Sequence, residues 1–205
     1  MPIRIPRDDL PASTGGLLRP ALTLFVVLSL VTGLLYPLAV TGVAQTAFTH
    51  QANGSLITQG GKAVGSELIG QSFTEPGHFW GRPSATAPMP YNASASGGSN
   101  LGPTNPALTD AVKARIEALR AADPGNTQPV PVDLVTASAS GLDPHISPSA
   151  AEYQVLRIAK SSGKSEEYVR KIISSATDKP FLGIIGEARV NVLLVNLKLD
   201  GIIAE

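Results

Sequence analysis

The chain has 205 residues, with 16 Lys plus Arg against 16 Asp plus Glu and no cysteine. The balanced charge excludes the basic field that nucleic-acid binding needs. The missing thiols exclude disulfides, cysteine nucleophiles and thiolate metal sites.

In chain order, the first element is apolar. No charged residue stands between Arg19 and Lys62, and Ala21 to Ala44 form a nearly continuous apolar run in which thirteen residues are Leu, Val or Phe. As a helix these residues extend about 36 Å, more than a hydrocarbon core of about 30 Å. At roughly 0.3–0.6 kcal/mol for each such side chain, insertion gains on the order of 4–8 kcal/mol. A transmembrane helix over 20–45 is expected. A cleaved signal peptide ending at "GVA" before Gln45 is the rival, but this run is longer than the usual apolar region of about 7–15 residues. Arg4, Arg7 and Arg19 precede the span, so the positive-inside rule puts residues 1–19 in the cytoplasm and residues 46–205 outside it. Ser29, Gly33, Pro37, Thr41 and Gln45 recur every four residues. They draw a stripe of small or polar groups on which a second membrane helix can pack, although Gly and Pro are also common in membrane helices that do not pair.

Beyond the span, Leu56-Ile57 and Val64–Ile69, bounded by Asn-Gly and Gly-Gly pairs, read as two short strands. Residues 74–106 are rich in Gly, Pro and Asn, with "GHFWGRP" at Gly77–Pro83 as a bulky aromatic patch. A segment so long without regular structure is functional or disordered, and its aromatic residues favour packing against something. Asn105 and Pro106 start a helix with apolar Leu108, Val112, Ile116 and Leu119, and with Asp110, Lys113, Glu117 and Arg120 on the solvent side. Pro129–Ser138 reads as a strand, Ser147-Pro148 start a second helix to about Ser162, and Ser165 caps a third through Ser175. Arg189–Asp200, "RVNVLLVNLKLD", fits strand alternation and helical periodicity equally. The expected fold class is a single N-terminal transmembrane helix plus a mixed α/β (or α+β) extracytoplasmic domain.

Chemical motifs fail one by one. "GKS" at Gly163–Ser165 lacks the first glycine of a phosphate loop, because Ile158 holds that position inside a helix. "GSNLG" at Gly98–Gly102 places its serine one residue too early for a nucleophile elbow. Ser99, His145 and Asp143 offer a formal triad, against which stands the simpler reading of Asp-Pro-His as a turn. The three histidines lie too far apart in sequence for a local metal site. No catalytic constellation and no directly bound cofactor or metal is expected.

Three stretches, "FWGRPSAT" at Phe79–Thr86, "YNASASGGSNLGPTNPAL" at Tyr91–Leu108 and "PVDLVTASASGLDPHISPSAAEYQVLRIA" at Pro131–Ala159, resemble the KdpC family, the C subunit of the bacterial potassium-transporting Kdp P-type ATPase. "RPAL" at Arg19–Leu22, "YPLAVTGVAQ" at Tyr36–Gln45 and the terminal "VNVLLVNLKLD" fit the same family. The resemblance implies an accessory, non-catalytic subunit of an ATP-driven potassium importer in the bacterial inner membrane. It also implies a channel-like A subunit and an ATPase B subunit as partners, with ATP and potassium bound at the level of the complex. Family descriptions add a role in assembly and a rise in the ATP affinity of the B subunit. On this reading Ser29, Gly33 and Pro37 in the span, with Phe79, Trp80, Arg82, Ser99 and Asn100 in the outer domain, are the expected partner contacts.

Overall fold

A computed structural model describes residues 14–204; Arg4, Arg7 and most of the expected cytoplasmic tail lie outside them. The chain divides into two compact units at Asn53/Gly54.

The first unit is helical. Helix α1 (Thr14–Leu30) passes through a π segment (Val31–Leu35) into α2 (Tyr36–Ala47), and a single turn, α3 (Thr49–Ala52), follows. Gly16–Ala47 contains an 18-residue stretch with a mean hydropathy of 2.2 and no buried residue, so this helix is long and apolar enough to cross a membrane. Pro37 explains the π segment. Its ring lacks an N–H and clashes with the carbonyl four residues back, that of Gly33. Widening the preceding turn, where the Tyr36 N–H donates to Val31 O, relieves that clash. Polar groups on the helix bond to their own chain. Thr32 Oγ1 donates to Leu28 O at 2.7 Å and Thr46 Oγ1 to Gly42 O at 3.0 Å, so neither hydroxyl is left unpaired in hydrocarbon.

The second unit mixes helices and sheet. Strands β1 (Leu56–Gln59) and β2 (Lys62–Ser66) form the expected hairpin, with Gly60 and Gly61 supplying two positive-φ residues at its turn. Strand β3 (His145–Ile146), β4 (Thr177–Asp178) and β5 (Arg189–Asn191) form a small antiparallel sheet in the order β3-β5-β4. Around it lie α4 (Pro106–Ala122), α5 (Pro148–Ser162), α6 (Glu166–Ser175) and α7 (Val192–Leu199). The three expected caps are present: Asn105 Oδ1 accepts from Ala107 N, Ser147 Oγ from Ala150 N and Ser165 Oγ from Tyr168 N. The core unites Phe79, Ile146, Val155, Ile158, Val169, Ile172, Val190 and Val195.

Two local expectations change. Pro129–Ser138 is not a strand; its centre is a 3-10 turn at Val132–Leu134. Two prolines remove ladder donors there, and Asp133 turns inward to accept the Ser147 N–H at 2.6 Å. Arg189–Asp200 is both strand and helix. β5 ends at Asn191, whose side chain accepts the Leu194 N–H at 3.1 Å and so starts α7.

Candidate functional site

The irregular segment from Gln71 to Asn105 contains most of the expected contact residues, and neighbouring side chains hold its backbone. The Phe79 N–H donates to Asn196 Oδ1 at 2.8 Å, and Asn196 Nδ2 donates back to Phe79 O at 3.0 Å. Gln154 repeats the device one residue on, accepting the Trp80 N–H at 2.8 Å and donating to Trp80 O at 3.1 Å. Two side-chain amides thus replace a neighbouring strand. Arg157 completes the support. It donates to Pro76 O and Gln154 Oε1, and its guanidinium lies 4.6 Å from the centre of the Trp80 ring. Burial pushes the Arg157 pKa down to about 10.

Arg82 borders three grooves, of about 480, 470 and 620 Å³. Its Nη1 lies 3.2 Å from Asp143 Oδ2 and its Nη2 donates to Ala137 O at 3.2 Å; its buried Nε has no partner among the described residues. Tyr91 Oη donates to Arg82 O at 2.5 Å. Burial foremost, then the Asp143 carboxylate, raises the Tyr91 hydroxyl to about 12, so the phenol stays neutral at physiological pH. Asp143 also receives the His145 N–H at 3.0 Å, and its Oδ1 lies 3.4 Å from His145 Nδ1. Burial alone would raise its pKa, but these His145 bonds and the Arg82 charge outweigh it and hold the carboxyl below its ordinary value.

Above Arg82 the chain folds over on hydroxyl groups. Ser84 Oγ donates to Gly141 O at 2.7 Å and accepts the Tyr91 N–H at 2.9 Å, while Thr86 Oγ1 accepts the Asn92 N–H at 3.0 Å. The loop from Ser94 then docks on 138–141, with the Gly97 N–H donating to Ser140 O at 2.9 Å. Gly141 sits at φ +67°, and a Cβ there would come within 2.6 Å of Gly97 O. Only glycine lets these strands of coil meet so closely.

A family model described as "KdpC: K+-transporting ATPase, c chain" matches residues 18–201. The chain belongs to this family. It is 69% identical over 187 residues to the Potassium-transporting ATPase KdpC subunit of Polaromonas naphthalenivorans, covering 91% of this chain and 95% of that protein. The subunit of the same name from Variovorax paradoxus is 67% identical over 90% of this chain and 96% of its own, and that from Sorangium cellulosum 62% over 90% and 97%.

The expected contact residues occupy different settings. Ser29, Gly33 and Pro37 are exposed on the span. Phe79 is 0% exposed and belongs to the core, which corrects its reading as a partner contact; its backbone, not its ring, shapes the surface. Trp80 and Arg82 are half-buried and line the 480 Å³ groove together with Phe73, Tyr91 and Arg115. Ser99 and Asn100 are exposed at the tip of the polar loop, and among the described residues neither side chain has a hydrogen-bond partner. The formal triad is not assembled: Asp143 and His145 meet within the Asp-Pro-His turn, but the described contacts leave Ser99 apart from them. Gly163 and Ser165 of "GKS" are the C-cap of α5 and the N-cap of α6, as the helix-turn reading required. No group of three or more potential metal ligands occurs among the described residues. Sequence reasoning missed Tyr91, Gln154, Arg157 and Asn196, the residues that build the surface; the one local signal was a polar residue set within an apolar helical stripe, as Asn196 is in "LLVNLKL".

Proposed function

We propose that the chain is an accessory subunit of an ATP-driven potassium importer, anchored in the bacterial inner membrane by one helix. The observation that carries this reading is that the family match runs unbroken through the apolar helix and the folded domain. The N-terminus is cytoplasmic and the domain extracytoplasmic, in keeping with Arg4, Arg7 and Arg19 before the span. The partners are the channel-like A subunit and the ATPase B subunit. Ser29, Gly33 and Pro37 offer a close approach to a neighbouring membrane helix. Trp80, Arg82, Ser99 and Asn100 present a stiff polar and aromatic surface to the outer face of the channel-like subunit.

Its work is assembly and stabilisation rather than bond chemistry. The outer domain lies across the membrane from cytoplasmic ATP, so a raised ATP affinity in the B subunit travels through the complex as a coupling free energy. Neither ATP nor potassium needs a site on this chain. The test is co-expression with the A and B subunits, followed by co-purification and potassium-stimulated ATP hydrolysis. Replacing exposed Ser99 and Asn100 together by Arg is expected to lower recovery of the complex while the single tryptophan, Trp80, keeps its emission. Full recovery and full potassium-stimulated hydrolysis with that double variant would sink the docking role of the loop.

A further inference from the structure

The groove of about 480 Å³ beside Arg82 lies wholly within the second unit, between α4 and the irregular segment. Its size is that of a small-molecule site, roughly 300–1,000 Å³. Phe73, Trp80, Leu119 and Leu134 give it apolar walls, and Ser72 and Thr74 bring hydroxyls that make no hydrogen bond among the described residues. Two arginines line it, and no aspartate or glutamate does. The two cations differ. Arg82 is matched by Asp143, whose Oδ2 lies 3.2 Å from its Nη1. Arg115, half-buried on α4, donates from Nη1 to a neutral group, Val135 O, at 2.8 Å. Its Nε and Nη2 have no partner, and no carboxylate lies within ion-pair distance of it, among the described residues. Burial pushes the Arg115 pKa down with no anion to oppose it. The groove therefore holds one uncompensated positive charge beside apolar walls.

We propose that this groove binds a small organic acid, its single carboxylate paired with Arg115 and its apolar body packed against Trp80 and Phe73. The free Nε and Nη2 of Arg115 are the side of a guanidinium that a carboxylate accepts as two parallel hydrogen bonds. One uncompensated charge suits a monoanion. A phosphate dianion would bring a second negative charge that Arg82, already matched by Asp143, does not balance. An apolar body gains from the walls what a bare anion does not. The site is also formed in advance: Gln154 holds the Trp80 backbone, Tyr91 Oη holds Arg82 O and Val135 O holds Arg115. Binding then has little left to order.

Trp80, the chain's single tryptophan, lines the groove and reports its occupancy. The full-length chain, alone in a nonionic detergent, is titrated at millimolar concentrations with 3-phenylpropionate, with the neutral 3-phenylpropionamide and with inorganic phosphate. The acid is expected to change Trp80 emission saturably, the amide to bind at least about tenfold more weakly, and phosphate to leave the emission unchanged. Arg115→Gln is expected to reduce the acid to the level of the amide, and Arg115→Lys to keep part of the difference. Ala118→Phe adds a ring at an exposed position of α4 that borders the groove, and is expected to weaken acid and amide alike. No saturable change with the acid, equal affinity for acid and amide, or binding that survives both Arg115→Gln and Ala118→Phe overturns the inference. Because the subunit is alone, each of these results is independent of its assembly with the A and B subunits. Acid binding that disappears once those subunits are assembled with the chain also overturns it, and gives the groove to a partner's side chain.

Discussion

Asn196→Ala tests whether side-chain amides hold the outer surface in place. Asn196 is 1% exposed and makes two hydrogen bonds with one residue, Phe79, 117 positions away. Truncation leaves a buried N–H and a buried C=O unpaired, each worth roughly 1–3 kcal/mol, so the expected destabilisation is about 2–6 kcal/mol. That is a large part of a typical stability of about 5–15 kcal/mol. With a urea slope of about 2 kcal/mol/M, the unfolding midpoint of the full-length chain in detergent falls by about 1–3 M. Trp80 reports the transition, because it is the chain's single tryptophan and adjoins the clamped residue. Gln154→Ala is expected to behave alike, and the double variant to fall short of additivity, since the two amides hold consecutive residues of one segment. A midpoint shift equivalent to less than about 1 kcal/mol, with unchanged Trp80 emission, would refute the view that the amides substitute for a strand.

Other perturbations probe the neighbourhood of Arg82. Asp143 is held below its ordinary pKa in the folded chain, so its stabilisation is present above the unfolded value of about 4 and is lost as pH falls through the folded one. Asp143→Asn is therefore expected to flatten the acid limb of a stability–pH profile measured by thermal unfolding. Tyr91 titrates near 12 when folded but near 10 when unfolded, so it makes stability fall as pH rises between about 10 and 12. Tyr91→Phe removes that fall, while losing the bond to Arg82 O lowers stability at neutral pH by about 1 kcal/mol. Gly70→Ala places a Cβ 2.3 Å from the Tyr91 ring and 2.8 Å from Asp143 O. About 1–3 kcal/mol of destabilisation is expected, read by the same unfolding assay.

The helices were legible because their signals are local. Asn105, Ser147 and Ser165 each precede an apolar period, and each caps as its type predicts. At Arg189–Asp200 two periods overlap, and the chain changes from strand to helix where Asn191 offers a cap. Pro129–Ser138 misled because its apolar residues look strand-like, while its prolines and the inward Asp133 favour a turn. The candidate surface was legible only as a location. Phe79 reads as an outward aromatic until the core closes over it, and the partners of its backbone lie in a helix 117 residues on. Long-range pairing leaves no trace in local spacing.

The same pairing explains how so irregular a segment can be a shaped surface. Buried backbone groups must find partners, and residues 71–105 obtain few from sheet or helix. Asn196, Gln154 and Arg157 satisfy the main chain at Pro76, Phe79 and Trp80 from beneath. Ser84, Thr86 and Asn92 do so within the fold-over, and Ser140 receives the loop at Gly97. Each fixed point shortens the free coil between neighbours, so the ordering entropy that docking would otherwise demand of the loop is already met in folding. Ser99 and Asn100 are then left as free polar groups on a braced support. A surface of that kind meets a partner with little rearrangement.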